Sequence, residues 1–422
     1  MPPAAPDPSL AERARADQPG FAERMGAHPA VLALSLARLG DAIGNSILFV
    51  IIPLYVAKLP APWFPVPESI RVGILISLYG LVNSAFQPVG GFLTDRFNRR
   101  KLFIQLGLLL MAGGTLTFAV ASRFTHLLLL RALQGVGVAL TIPASMAIMT
   151  AATVKHSRGG SMGVYSSMRM VGFASGPLLG GFLYDRFGFN AAFYAATAFV
   201  LLAMLLVQLW VKDTAANVPV EDGRRVPLFD RKLLTPGILG LGAATFVMAA
   251  SFSMMTTLEK QFNERLEETA FAFGIAFSSL MVSRLIFQIP LGHLSDRIGR
   301  KPLIIWGLLL LALATAPLGL VASTAELTAL RVVQGVASAG VAAPAFALAA
   351  DLARTGGEGR QMSVITMGFG LGLALGPLTA GIFASVFFNL PFLIAGFAAI
   401  VGALVVWRYV PESVQRPKVP QG

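Results

Sequence analysis

GGFLTDRFNRRK, residues 90–101, places five charges in twelve positions, and PLGHLSDRIGRK, residues 290–301, returns the same pattern two hundred residues later. On either side the chain is nearly free of charge for about twenty residues, the length a helix needs to cross roughly 30 Å of hydrocarbon. Charge confined in this way marks a short polar turn between two membrane-crossing helices. A β-barrel would instead alternate over strands of about ten residues, and these apolar runs are continuous.

The composition agrees. Of the 422 residues, 55% are hydrophobic and 13% charged, and the mean hydropathy is +0.71. A soluble domain carries about 25% charged residues, so most of this surface is expected to face lipid. There is no cysteine, which excludes disulfides, thiolate nucleophiles and Cys-based metal sites. The four histidines, His28, His126, His156 and His293, form no paired metal-binding spacing. No metal, no cofactor and no enzymatic Ser/His/Asp set is expected. The net charge of +12 does not point to nucleic acid, because the cations sit at the ends of apolar runs, where topology signals belong.

Twelve spans are predicted, at about 30–59, 70–93, 102–122, 124–154, 161–184, 189–211, 237–261, 269–294, 303–323, 325–352, 361–387 and 391–410. The expected division is a flexible tail (1–29), a six-helix bundle (30–211), a polar linker (212–236), a second bundle (237–410) and a tail (411–422). Of the 33 Lys and Arg, 22 fall on the side holding the termini, the even-numbered loops and the linker, six fall on the other, and five lie within spans. That asymmetry makes the first side cytoplasmic. A multi-pass protein of the cell inner membrane, working as a monomer, is the expectation.

The halves repeat each other. FQPVGGFLTDRFNRRKLFI from Phe86 matches FQIPLGHLSDRIGRKPLII from Phe287; RALQGVG from Arg131 matches RVVQGVA from Arg331; GFASGPLLGG from Gly172 matches GLALGPLTAG from Gly372. The order is conserved between the halves, which identifies a duplicated six-helix unit. These segments resemble the major facilitator superfamily across residues 30–410. GFLTDRFNRRK resembles its motif A, departing at Asn98, where glycine is usual and asparagine also tolerates a left-handed turn; the second copy keeps Gly299. RALQGVG resembles motif B and GFASGPLLGG motif C, which the family associates with antiporters. The resemblance implies an all-α fold of two pseudo-symmetric bundles, and within the superfamily the twelve-helix drug:proton antiporters.

The resemblance further implies that Gly91, Asp95, Arg96, Arg99 and Arg100, with Gly292, Asp296, Arg297 and Arg300, form cytoplasmic latches that bias alternating access, Asp351 being an added partner for Arg297 or Arg300. Holding topology is their simpler role. Gly172, Gly176, Gly180 and Gly181 recur at helical spacing and admit a close helix neighbour, and Pro177 can bend span five.

Ionisable residues within a bilayer are costly and mark function. Here they are Arg38, Asp41, Arg131, Arg169, Arg284 and Arg331, with Asp41 the only carboxylate deep in a span. It lies about twelve residues, roughly 18 Å, from the start of its helix. Arg38, Asp41, Asn45 and Phe49 share one face of span one, and Arg131, Gln134, Thr141 and Ser145 one face of span four. Both faces are expected on a central cavity, with Asp41, Arg38 and Arg131 carrying the proton. Arg131 lies only about 10 Å from the far end of its span, which leaves its contact with Asp41 open. A static Arg38–Asp41 pair is the alternative. Span seven offers Thr245, Met248, Phe252, Met255 and Glu259 along one face, suited to an adaptable apolar ligand; plain packing is the alternative. The expected function is proton-coupled export of amphipathic, drug-like small molecules. Arg169, Arg284 and their fellows would instead suit an anionic metabolite or lipid, and a membrane receptor that does not transport is a third possibility.

Overall fold

The computed structural model describes residues 29–97, 99–153, 158–211, 235–352 and 358–413, all of the regular structure among them helical. In chain order the helices are α1 (Pro29–Lys58), α2 (Glu68–Phe97), α3 (Arg100–Phe118), α4 (Phe124–Ala152), α5 (Arg158–Trp210), α6 (Pro236–Ser253), α7 (Glu259–Leu266), α8 (Ala270–Ile298), α9 (Arg300–Thr315), α10 (Thr324–Leu352), α11 (Glu358–Val386) and α12 (Leu390–Tyr409). Eleven of these regions are long and apolar enough to cross a membrane. The 53-residue α5 holds two crossings, because the chain turns at Gly188 (φ 79°, ψ −173°), a backbone conformation open to glycine alone. The two arms are called α5a and α5b, and with them the crossings number twelve.

Span seven ends earlier than its composition suggests. After Ser253 the helix tightens into a 3₁₀ turn, Met254–Thr257, and the chain restarts at Glu259 as the short α7. Of the expected tails (1–29 and 411–422) and linker (212–236), residues 1–28, 212–234 and 414–422 lie outside the described residues.

Two bundles are built by the same packing. In the first, α1 lies along α5, and α4 packs on α2 and α3; in the second, α6 lies along α11, and α10 packs on α8 and α9. The glycine rows explain the first of these pairings. A Cβ on Gly172 would lie 2.5 Å from Ala42 Cβ, one on Gly176 2.8 Å from Ile43 O, and one on Gly180 3.0 Å from Ile47 O, so three successive turns of α5a rest on α1 without side chains between them. Ser46 Oγ donates to Gly172 O at 3.0 Å, and its duplicate Ser253 Oγ donates to Gly372 O at 3.1 Å. Leucines and aromatics such as Leu205, Trp306, Leu313 and Phe397 remain exposed around the outside, the apolar girdle a bilayer requires.

Between bundles the main contacts are α2 on α11 and α5a on α8. They gather at the end remote from the motif A turns. A Cβ on Gly73 would meet Pro377 O at 2.6 Å, one on Gly80 Ala374 Cβ at 2.9 Å, one on Gly181 Ala270 O at 2.5 Å, and one on Gly274 Pro177 O at 2.5 Å. At the basic end the same helices stand apart: Gly292 has nothing within 4 Å of such a Cβ, and Gly91 only Pro143 of its own bundle at 3.9 Å. The far end is sealed and the basic end is open.

Candidate functional site

A cavity of about 860 Å³ lies between the bundles, at the upper part of the usual range for small-molecule sites. Its deep wall is aromatic: Phe49 packs against Phe173 and Phe277 at 5.7 and 5.9 Å between ring centroids, and Phe252 against Phe277 at 5.4 Å. Arg38, Asp41, Asn45, Phe49, Arg169 and Phe252 line it, as their placement in the sequence suggests.

Arg38 and Asp41 form an ion pair, Nη1 to Oδ2 at 2.5 Å, with both side chains more than nine-tenths buried. One turn of helix separates them, so the pair is built by α1 alone. Asp41 Oδ1 and Arg38 Nε have no hydrogen-bond partner among the described residues. Behind the pair is a small void of about 10 Å³, bordered by Thr141, Ser145 and Tyr165, close to the least space that holds one water. Thr141 and Ser145 are thus the part of span four that reaches Asp41.

Arg131 is not. It sits ten residues from Thr141, about 15 Å along the helix, fully buried within its bundle. Its Nη1 donates to Gln134 Oε1 at 3.2 Å, and Gln134 Nε2 donates to Thr115 Oγ1 at 2.8 Å. The second half repeats this chain in every member: Arg331 to Gln334 at 2.8 Å, Gln334 to Thr315 at 2.8 Å. A network present in both halves closes each bundle internally, which is why Arg131 and Gln134 stay off the cavity wall. Arg131 nonetheless lies over the ring of Tyr79, 5.3 Å to its centroid, and Tyr79 does line the cavity. Arg284 is similarly one layer back, over the ring of the cavity residue Phe369 at 5.7 Å.

Span seven departs most from expectation. Phe252 lines the cavity with Ser253 and Thr256, but Met248 is buried in the second bundle's core and Met255 in the core at the far end. The face carrying Thr245 turns to α11, where Thr245 Oγ1 donates to Ile365 O at 3.1 Å. The stripe is packing in the main, because α11 meets α6 through glycines and needs filling side chains opposite. Glu259 stands beyond the end of the span and is fully buried at the far-end seal.

Residues that the sequence reading passed over supply much of the remaining wall: Tyr79, Asn83 and Gln87 of α2, and Ser363, Thr366 and Phe369 of α11. The spacing of Tyr79, Asn83 and Gln87, a polar or amphipathic residue every fourth position in an otherwise apolar helix, was a usable signal.

At the basic end, Arg300 pairs with Asp351, and with Asp296 at 3.3 Å, and donates to Ala347 O at 2.6 Å. Its duplicate Arg100 donates to Ala147 O at 3.1 Å. Arg96 lies over the rings of Phe92 and Phe97, while Arg99 and Arg297 are exposed. Asn98 and the side chain of Asp95 lie outside what is described. Among the described residues these ties stay within one bundle. An unforeseen member is Glu412, which accepts from the backbone N–H of Arg300 at 3.2 Å and Lys301 at 2.9 Å, satisfying the open first turn of α9.

Comparison with known proteins gives a consistent picture. The family model for the Major Facilitator Superfamily matches residues 34–285 and 238–422. The chain is 25% identical over 369 residues to "Multidrug resistance protein MdtG" of Salmonella typhi, covering 86% of this chain and 91% of that one. It is 29% identical over 276 residues to "Uncharacterized MFS-type transporter YuxJ" of Bacillus subtilis, covering 63% and 70%. In structure it resembles a bacterial homologue of the human lysosomal transporter Spinster in an inward-facing, occupied conformation (TM-score 0.74, 17% identity, 89% and 95% covered) and a D-xylose–proton symporter (TM-score 0.72, 16% identity, 91% and 98% covered).

Proposed function

As the chain belongs to the Major Facilitator Superfamily, a family of transporters rather than enzymes, we propose that it is a proton-coupled antiporter that exports amphipathic compounds by alternating access. One observation carries the reading: a single carboxylate, Asp41, stands on the wall of a large aromatic cavity, paired to Arg38 at 2.5 Å. The multidrug name of the Salmonella relative supports the drug-like class of substrate. The basic end is the cytoplasmic one, following its excess of Lys and Arg, in the inner membrane, with both termini inside; the cavity then opens to the cytoplasm. A substrate that donates a hydrogen bond to Asp41 holds it ionised, and a proton arriving from outside displaces that substrate. Competition for one carboxylate is the linkage that exchange requires. The chain works as a monomer, with small molecules and protons as its partners in the bilayer.

A second reading rests on Arg169. Its guanidinium lies over Phe173 at 5.1 Å on the cavity wall, and its Nε has no partner among the described residues. With Arg38 and Asp41 it leaves the wall one positive charge in excess, which favours an anionic amphiphile. The linkage then reverses, since protonating Asp41 frees the Arg38 guanidinium on the same wall as Arg169, and the anion binds with the proton.

Inverted vesicles carrying the protein separate the two. Uptake of a fluorescent lipophilic amine that an interior-acid gradient drives, and that Asp41→Asn abolishes, is the expected result. Uptake unchanged in Asp41→Asn removes Asp41 from coupling. An anionic probe whose binding tightens as pH falls, and weakens in Arg169→Gln, establishes the second reading instead.

A further inference from the structure

The nine residues of the motif A turn occur a third time. GGFLTDRFN at 90–98 is matched at seven of nine positions by GGFLYDRFG at 180–188, at the far end of α5a. The likeness extends to geometry. Gly188 ends its helix at φ 79° and Gly299 at φ 108°, each the fourth residue of an Asp-Arg-x-Gly run. In a fold whose six-helix halves contain inverted three-helix repeats, spans two and five are related, so one segment serves opposite ends of the molecule.

At the far end this segment meets the other bundle. Asp185 Oδ2 accepts from the backbone N–H of Phe271 at 2.9 Å, in the first turn of α8, where free donors and the helix dipole favour an anion. A second tie crosses nearby, Lys260 Nζ to Glu68 Oε2 at 2.8 Å. Next to Lys260 stands Glu259, wholly buried. Its Oε1 is 3.5 Å from Asn263 Nδ2, and its Oε2 has no partner among the described residues.

The charges around Glu259 do not compensate it. On its own helix, Lys260 is engaged by Glu68 and by Glu264 at 3.6 Å. The arm α5a contributes Tyr184 and the anion Asp185. From α1 comes Lys58, whose ammonium lies over the ring of Phe189 at 4.7 Å. The 3₁₀ turn 254–257 and α8 as far as Ser283 carry no titratable side chain. Burial holds the Glu259 carboxyl well above the usual carboxylate range; the long contact from Asn263 opposes this and the charge of Asp185 adds to it. An ionised carboxylate here would be a buried, unpaired charge beside a like one.

We propose that Glu259, beside Asp185, is a second proton-binding site, belonging to the outer gate: the gate closes on a protonated Glu259 and returns that proton outward when it opens. The inference rests on alternating access with the far end outermost, and it is separate from coupling at Asp41. Its sign follows from the burial. The closed state binds a proton that the open state, with Glu259 in water, does not, over the interval between the ordinary carboxylate value and the raised one. Closure is therefore favoured as external pH falls through that interval. Asp185 caps the first turn of α8 through the Phe271 N–H.

The absence of cysteine makes the test direct. Phe187→Cys and Glu268→Cys, both exposed and on opposite bundles, take spin labels in an Asp41→Asn background, so that the central site cannot contribute. In nanodiscs, distance distributions are recorded from about pH 5 to about pH 9. The ratio of short to long distances should rise by as much as about tenfold per pH unit of acidification, the limit for one proton. Glu259→Gln and the apolar Glu259→Met should each stay short at every pH. Asp185→Asn should retain the response with its midpoint displaced to lower pH. A Glu259→Gln profile that follows the parent, or a parent ratio that is flat with pH, overturns the proposal. Vesicle uptake that fails while the label response persists would sink the antiport reading and leave this site standing.

Discussion

A methyl group added at Gly73 is predicted to open the far-end seal. The Cβ of alanine there would lie 2.6 Å from Pro377 O and 3.0 Å from Leu378 Cα. Both are backbone atoms of α11, so no side-chain rotation relieves the clash; α2 and α11 must separate. Overpacking of this kind costs about 1–3 kcal/mol. Because the two helices part at this end when the seal opens, the cost falls on the closed state alone and moves the closed-to-open ratio by about 5- to 150-fold. The spin-label pair at 187 and 268 reads that ratio directly. Gly163→Ala, where a Cβ meets nothing within 4 Å, is the control and should leave it unchanged. Thermal unfolding should respond weakly to Gly73→Ala, since the protein escapes the strain by opening. If Gly73→Ala lowers the melting temperature while the distances stay those of the parent, the α2–α11 contact does not break during the cycle, and the seal has been assigned to the wrong helices.

Glycines within a bundle should behave in the opposite way. Gly176→Ala would press on Ser46 Oγ and on Ile43 O at 2.8 Å, a contact that both states keep, so it should cost about 1–3 kcal/mol of stability with little change in the distances. Gln134→Ala and Gln334→Ala each remove the acceptor of a buried guanidinium and the donor to a threonine hydroxyl. Each should lose about 1–3 kcal/mol in chemical denaturation, and near equality of the two losses would confirm that the duplicated networks are structural.

Much of the fold was legible because a bilayer enforces it. Spans must be apolar for about twenty residues, turns must gather the charge, and a duplicated pattern exposes the two halves. What escaped was finer. Span seven read as longer than it is, because the 3₁₀ turn 254–257 and the start of α7 continue a helical spacing without continuing the helix. For the site, one-face arguments placed Arg38, Asp41, Asn45 and Phe49 together, all on one helix. They failed for Arg131 and Gln134, because a polar face turns inward either to a cavity or to a partner such as Thr115, and spacing on a single helix does not distinguish these. The Met-rich face of α6 failed for a related reason: the glycines of α11 that receive it lie more than a hundred residues away in sequence.

The same limit explains why the far-end copy of the motif A segment went unread. Comparison of the halves looks for a shift near two hundred residues, whereas GGFLYDRFG lies ninety residues from GGFLTDRFN and points the other way across the membrane. Its placement gives the cycle a symmetry that neither copy shows alone. At the far end the Asp185–Phe271 and Glu68–Lys260 bonds cross between bundles, while at the basic end the ties of Arg100 and Arg300 remain within one. A molecule closed at the far end and open at the basic end has its far-end segment engaged across the seam and its basic-end segments engaged at home. The opposite state should exchange these roles, with Asp185 released to water and the basic-end arginines and acids drawn toward the other bundle. The alternating access proposed above would then give each end its own latch, cut from nearly the same nine residues, with closing one compatible only with opening the other.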